Sequence, residues 1–544
     1  MAKRFGVMLD CSRNAVMKPE KLVEFASLIK KMGFDTVMLY TEDTYEIPGE
    51  PYFGYLRGRY TRDELRYVSE QCKQIGVEVI PAIQTLAHLP TLFRWGAYAG
   101  VRDNGDILLA EEEKTYELIR KMFSACREAY PHSKIVNIGM DEAHTLGLGA
   151  YLKKHGYTDP TKILLKHLKR VMEIAGEFGF EPIMWSDMFF RLEHGGEYES
   201  LGTPEEVKLS EEVIALAPQG VSQVFWRYHD TDKKRYALMI KEHKRFPGET
   251  WFAGGAWTWA GFAPNNSGTL KAMIPAMEAC REEGVENVVL TMWGDDGKEC
   301  SFWSVLPSLF AVRRAYDGIT DEKTVKREFY EITGEDWDDM MTLDIPGDFG
   351  NAKIYNSTHH KYSLYNDPFS GFLDPALTDK APESYAAAAS TLERLAAKGT
   401  PSSYLYDSAA KLCRTLEIKY ALGLRTRAAY KSGDREALKA LCADYEEAAA
   451  RTEAFTGAMK TLWMTENKPQ GFEVQEHRLG GLAFRLRSLK ARLEEYLDGA
   501  VKSVPELEEE LLPFWGTEKR QAFFEGDTLP FVNGWSKIIT VNRL

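Results

Sequence analysis

Cysteine is scarce in this chain, and its scatter excludes more than its number does. The seven cysteines, at positions 11, 72, 126, 280, 300, 413 and 442, form no CxxC pair and no zinc-like spacing. Neither a disulfide framework nor a structural metal is expected, and reduced thiols fit a cytoplasmic setting. Positive charge is also in deficit: 68 Lys and Arg against 81 Asp and Glu leave a net −13. That balance argues against nucleic-acid backbones and anionic membranes as partners. No apolar stretch approaches a membrane span. The opening Met-Ala-Lys-Arg enters a strand-like run without the apolar region of a secretory signal. A Gly-rich phosphate loop is missing after the first strand, where Asp10-Cys-Ser-Arg-Asn14 stands instead, so a doubly wound nucleotide-binding sheet is disfavoured.

What is present is a large soluble core. Of 544 residues, 44% are hydrophobic and 27% charged, enough for a barrel and a second domain. Apolar runs at Phe5–Leu9, Thr36–Tyr40, Val77–Ile83, Ile135–Met140, Glu181–Trp185, Ser222–Trp226, Thr250–Trp257 and Val288–Trp293 read as strands. Segments of helical period separate them, with Pro19–Met32, Arg62–Ile75, Glu112–Ala129, Lys162–Glu177, Asp232–His243 and Leu270–Glu283 the clearest and Glu205–Ala215 the weakest. Strand and helix alternate eight times, which predicts an α/β fold, a (β/α)8 TIM barrel over 1–320. From about 375 the texture turns Ala-, Leu-, Glu- and Arg-rich, as in Tyr385–Ala397, Ser408–Ser432, Arg435–Met464 and Leu479–Leu497. A mostly α-helical C-terminal domain over 321–544 is expected, interrupted by the stretch Asn467–Arg478, with the final 515–544 left unassigned.

In such barrels the chemistry sits on loops after the C-terminal strand ends. Those positions carry Arg13, then Glu42 and Asp43, then His88, then Asp141-Glu142. The later ends carry Trp185 with Asp187, Trp226 with Tyr228, Trp257 with Trp259, and Trp293 with Asp295. Five of the twelve tryptophans therefore crowd the last four strand ends, which predicts an aromatic-walled pocket. Aromatic faces stack on pyranose C–H faces while carboxylates and arginine satisfy hydroxyls, so the combination marks a sugar site. The plainer alternatives are an acidic helix cap for Asp141-Glu142, a loop ion pair for Arg13, a hydrogen-bonded loop His88, and packing tryptophans. Asp295, Asp296 and Glu299 do not complete a cation site, so no metal is expected.

With Gly139-Met140-Asp141-Glu142, Arg13, His88 and Met292-Trp293-Gly294-Asp295 in place, the chain resembles glycoside hydrolase family 20, the exo-acting β-N-acetylhexosaminidases, over roughly residues 4–315. The helical C-terminal region resembles a compact bacterial subgroup. The resemblance implies substrate-assisted cleavage without a cofactor, in which the sugar's 2-acetamido oxygen attacks the anomeric carbon. Glu142 would be the general acid/base and Asp141 the carboxylate that orients the acetamido group. Arg13 and Asp295 would hold sugar hydroxyls, Trp293 the apolar face, and Trp185, Trp226 and Trp257 the acetyl methyl. Asp43 and His88 would stand behind the general acid, with Asp187 at the site's edge. A family tyrosine after strand seven is replaced by Trp257-Thr258-Trp259, and Tyr228 or an indole N–H is a candidate substitute.

The implied substrate is a small glycan ending in β-linked GlcNAc, with GalNAc and a homodimeric assembly left open. Two other readings also stay open. One is a retaining glycosidase with Asp187 or Asp295 as a protein nucleophile; the other is a catalytically silent sugar-binding barrel.

Overall fold

A computed structural model describes residues 2–198, 200–347, 359–377 and 381–512, without the side chains of 296 and 376. The stretch 515–544 lies outside the described residues. Two compact units emerge: Met1–Ala256 with Thr269–Gly294 and Ser308–Gly334, and Trp257–Gly268 with Asp295–Pro307 and Glu335–Leu544.

The first unit is built on eight parallel strands, β1 (Arg4–Asp10), β2 (Thr36–Tyr40), β3 (Glu78–Ala82), β4 (Ile135–Asn137), β5 (Glu181–Trp185), β6 (Ser222–Trp226), β7 (Trp251–Gly255) and β8 (Asn287–Met292). They close in sequence order, with β1 pairing β8 from Arg4↔Asn287 to Leu9↔Met292. Burial on both faces explains why the strands are near-continuous apolar runs instead of alternating ones. The interior is filled by Met8, Met38, Tyr40, Ile80, Ile183, Trp185, Val224, Trp251 and Val289, with Trp226 and Trp293 packed against that core while partly exposed.

The helices begin where local chemistry satisfies their free N–H groups. Thr61 and Glu64 form a reciprocal capping box for Arg62–Gln74, and the Asp159 side chain accepts from Thr161 N–H ahead of Pro160–Glu177. The weak segment near 205–215 is two short helices, Pro204–Val207 and Glu211–Leu216, each started by a hydroxyl cap from Thr203 or Ser210. β4 is shorter than its apolar run, because the ladder stops at Asn137 and the chain turns.

The second unit is helical, with Ala381–Ala396, Ser403–Lys419, Leu422–Ser432, Arg435–Glu466 and Phe472–Leu497 as its long members. The apolar period over 408–432 breaks into two helices around Tyr420 and Ala421, and the stretch Asn467–Arg478 is a brief turn followed by helix from Phe472. Leu392, Leu416, Tyr445, Phe455, Trp463, Leu479 and Leu486 are among its fully buried side chains. Among the described residues, no helix is long and apolar enough to cross a membrane.

Candidate active site

The conformation of the turn after β4 decides whether two adjacent acids can share one cavity. In an extended strand, Asp141 and Glu142 would point to opposite sides. The chain avoids that by bending: the Asn137 side-chain oxygen accepts Gly139 N–H at 2.9 Å, and Gly139, Met140 and Glu142 take φ of 73°, 72° and 50°. Left-handed backbone on both sides of Asp141 brings the two carboxylates to one imidazole. His88 Nε2 lies 3.1 Å from Asp141 Oδ2 and 3.5 Å from Glu142 Oε2. Glycine is favoured at 139 by its φ, and a Cβ there would collide with the Gln84 carboxamide. No helix starts at the acid pair; the next one is Ala150–His155, so a capping role does not account for these acids.

Asp141 is buried, and burial by itself would raise its pKa. The adjacent His88 charge and hydrogen bonding from His88 and Gln84 outweigh that effect and hold the carboxyl below its usual value. Gln84 Nε2 donates to Asp141 Oδ1 at 2.8 Å. Glu142 is moved the other way: burial first, then the Asp141 charge, push it up to about 7. For His88, burial opposes the charged form, but the Asp141 carboxylate prevails and pushes the imidazole up to about 10. The result is an ionised Asp141, a cationic His88 and a Glu142 that titrates near neutrality.

Asp187, at the end of β5, joins this group. It is fully buried; its Oδ2 accepts Glu142 N–H at 3.1 Å and Arg191 Nε at 2.9 Å, and its Oδ1 accepts Trp226 Nε1 at 3.4 Å. Burial, then the Asp141 charge, raise it to about 6.

The aromatic wall within the barrel unit consists of Trp185, Trp226, Tyr228 and Trp293, with Tyr40 beneath. Trp185 is part of the interior core, 6.2 Å from Trp293 between ring centroids. Trp293 stands edge-on to Tyr40 at 4.9 Å and donates its Nε1–H to the Tyr228 hydroxyl at 3.1 Å. Trp226 stacks on Tyr228 at 5.4 Å. Trp257, Trp259 and Asp295 belong to the helical unit, where the two indoles stack at 4.7 Å and Asp295 opens the short turn Asp295–Gly297.

After β1 and β2, Arg13 Nη2 lies 3.2 Å from Glu42 Oε1, and the Tyr40 hydroxyl donates to the same oxygen at 3.1 Å. Gln84 Nε2 reaches the Tyr40 hydroxyl at 3.0 Å, so polar contacts run from Arg13 through Glu42, Tyr40 and Gln84 to Asp141. Asp43 faces elsewhere: it pairs with Arg57, which also donates to the Ser12 carbonyl. It is Glu42 whose charge acts on His88. Sequence reading passed over Gln84, Tyr40 and Arg191, although Asp187 and Arg191 are an i,i+4 acid–base pair and thus legible on a helix.

Comparison with known proteins follows the same lines. Residues 40–232 match the glycosyl hydrolase family 20 catalytic domain, and residues 336–525 match the Glycoside Hydrolase 20C C-terminal domain. Bovine hexosaminidase D is 25% identical over 256 residues, covering 44% of this chain and 66% of the bovine one. Human hexosaminidase D is 25% identical over 252 residues, covering 44% of this chain and 49% of the human one. The chain thus spans about two thirds of one relative and half of the other. The Flavobacterium johnsoniae chitobiase structure aligns at 14% identity and a TM-score of 0.45, over 85% of this chain and 78% of that one. With its barrel and its helical region each matched by a model of the same family, the chain belongs to glycoside hydrolase family 20.

Proposed function

We propose that the protein is an exo-β-N-acetylhexosaminidase that removes a terminal β-linked GlcNAc by substrate-assisted catalysis. The observation that carries this reading is the opposed titration of two adjacent acids beside one histidine: Asp141 held low, Glu142 pushed up to about 7. Pairs of carboxyls driven apart in this way mark an acid and a charge stabiliser. The names of the matched hexosaminidases agree with it.

In this reading the 2-acetamido oxygen of the substrate attacks the anomeric carbon, the glycosidic C–O bond breaks, and the leaving oxygen takes the Glu142 proton. Asp141 accepts the acetamido N–H and balances the positive charge that develops on the cyclised sugar. Water then adds to the anomeric carbon from the leaving-group side and gives a proton to Glu142. The ring opens to restore the acetamide, with the β-configuration retained. Arg13, tethered by Glu42, would hold sugar hydroxyls, and Trp293 and Tyr228 would face the ring and its acetamido group. Asp187 is less well supported as a protein nucleophile, since both its oxygens are engaged and it has no exposure. Seven buried free thiols favour a reducing, cytoplasmic setting.

The test is a paired assay of 4-nitrophenyl N-acetyl-β-glucosaminide and the unacetylated glucoside. The first should be cleaved at least about a hundredfold faster, the size of one well-placed catalytic interaction; equal rates would remove the acetamido group from the mechanism.

A further inference from the structure

The short helix Asp187–Glu193 carries an acid and a base one turn apart, both turned inward. Asp187 is 0% exposed and Arg191 8%. Burying such a pair is costly unless its geometry is well satisfied, and here the satisfaction runs through the catalytic turn. Arg191 Nε donates to Asp187 Oδ2 at 2.9 Å, and the same oxygen accepts the backbone N–H of Glu142 at 3.1 Å. Arg191 Nη1 donates to the Gly196 carbonyl at 2.9 Å, while the guanidinium lies 5.7 Å from the Tyr198 ring centre. Tyr198 in turn donates to the Trp226 carbonyl at 3.0 Å. Arg191 Nη2 faces Glu142 Oε1 at 3.7 Å.

We propose that Arg191 is a positioning residue for Glu142, taking up the negative charge that appears on this carboxyl whenever it gives up its proton, while Asp187 holds guanidinium and backbone in register. The inference rests on Glu142 being the general acid/base argued above. When the glycosidic oxygen takes the proton, Glu142 becomes an anion beside the ionised Asp141 and near Asp187. The charged and titratable groups that act on it most strongly are Asp141, His88, Asp187 and Arg191. Of the two cations, His88 is closer to Asp141 than to Glu142. Arg191 is thus the cation on the other side of the carboxyl, against Oε1, where His88 approaches Oε2.

The distribution of contacts explains why an arginine serves. Its planar fork addresses Asp187, Gly196 and Glu142, among the described residues, from three different nitrogens. An ammonium would keep the charge but not that geometry. The hydrogen bond from Glu142 N–H to Asp187 also holds a residue at φ 50°, a conformation that a non-glycine keeps only when its surroundings fix it.

Arg191→Met, Arg191→Lys and Arg191→Gln in the full-length chain test this. The first readout is the titration of the Glu142 carboxyl by carbon-13 NMR, which needs no turnover. Its midpoint should rise by about one unit in Arg191→Met and Arg191→Gln, as expected on losing an opposite charge at this range, and be largely restored in Arg191→Lys. The second is the leaving-group dependence of kcat on aryl N-acetyl-β-glucosaminides. The loss in Arg191→Met should be about tenfold greater for phenyl than for 4-nitrophenyl, because only the poorer leaving group needs the full proton transfer. A Glu142 midpoint that does not move, or a loss uniform across leaving groups, would overturn the proposal. A wild-type protein inactive on every N-acetylglucosaminide would instead overturn the functional reading, and the titration would still report whether Arg191 acts on Glu142.

Discussion

His88 and Asp141 form an ion pair at 3.1 Å across the loops that follow β3 and β4, with Glu142 0.4 Å farther from the same nitrogen. Two loops distant in sequence are thereby locked by charge at the point where chemistry is proposed. Asp141→Asn should release His88 from its raised value of about 10; burial is then opposed by the Glu42 charge without that of Asp141, and the imidazole should titrate at lower pH than in the wild type, as read by NMR. Stability follows with a definite sign. His88 contributes fully below the unfolded value near 6.5, and that contribution is lost as pH rises through about 10. Asp141 contributes above its ordinary value, and its contribution is lost as pH falls through its depressed one. Urea midpoints of the wild type should decline between about pH 6.5 and 10, and Asp141→Asn should flatten that decline.

Activity should depend on pH through Glu142. This acid must be protonated to serve the leaving oxygen, so kcat/KM should fall as pH rises through about 7. Since the Asp141 charge is one of the causes of that raised value, Asp141→Asn should shift the basic limb to lower pH. A limb unchanged in the variant would detach the two acids from each other.

Glu142→Gln keeps the shape and removes the proton. Hydrolysis of phenyl N-acetyl-β-glucosaminide should drop by about 10²–10⁴-fold, the usual contribution of a general acid/base. Retention of most of the wild-type turnover would assign the role elsewhere.

Gly139→Ala places a Cβ against the Gln84 carboxamide at a backbone angle that alanine resists. A loss of about 1–2 kcal/mol in unfolding free energy is expected from the left-handed angle alone. The loss of activity should be disproportionate, because Gln84 is the donor to Asp141 at 2.8 Å. Calorimetry and kinetics on one sample separate the two.

Trp293→Phe preserves a ring edge-on to Tyr40 but deletes the N–H that Tyr228 accepts at 3.1 Å. We expect KM to rise several-fold with a smaller change in kcat. An unaltered KM would separate this indole from substrate binding.

Much of the fold was legible because buried parallel strands are written as short apolar runs at regular spacing, and all eight lie where those runs are. The acid pair was legible for the same reason, as carboxylates cutting short one such run. Its presentation was not, because left-handed φ at Met140 and Glu142 leaves no mark in residue type. The same cause explains the exchange of neighbours after β2. Asp43 was expected to stand with His88, whereas Glu42, itself at φ 45°, acts on the imidazole and Asp43 pairs with Arg57. Gln84 escaped notice because an amide bears no catalytic signature; its contacts with Tyr40, Asp141 and the Met140 N–H single it out. Trp257, Trp259 and Asp295 do follow the ends of β7 and β8, and their loops group with the helical unit.

Asn14, Glu42, His88, Met140 and Glu142, all non-glycines, have positive φ in the loops after β1 to β4. Such angles persist only while neighbouring packing enforces them. On warming, this rim should relax before the barrel beneath it, so that catalytic inactivation precedes global melting and is reversible on cooling.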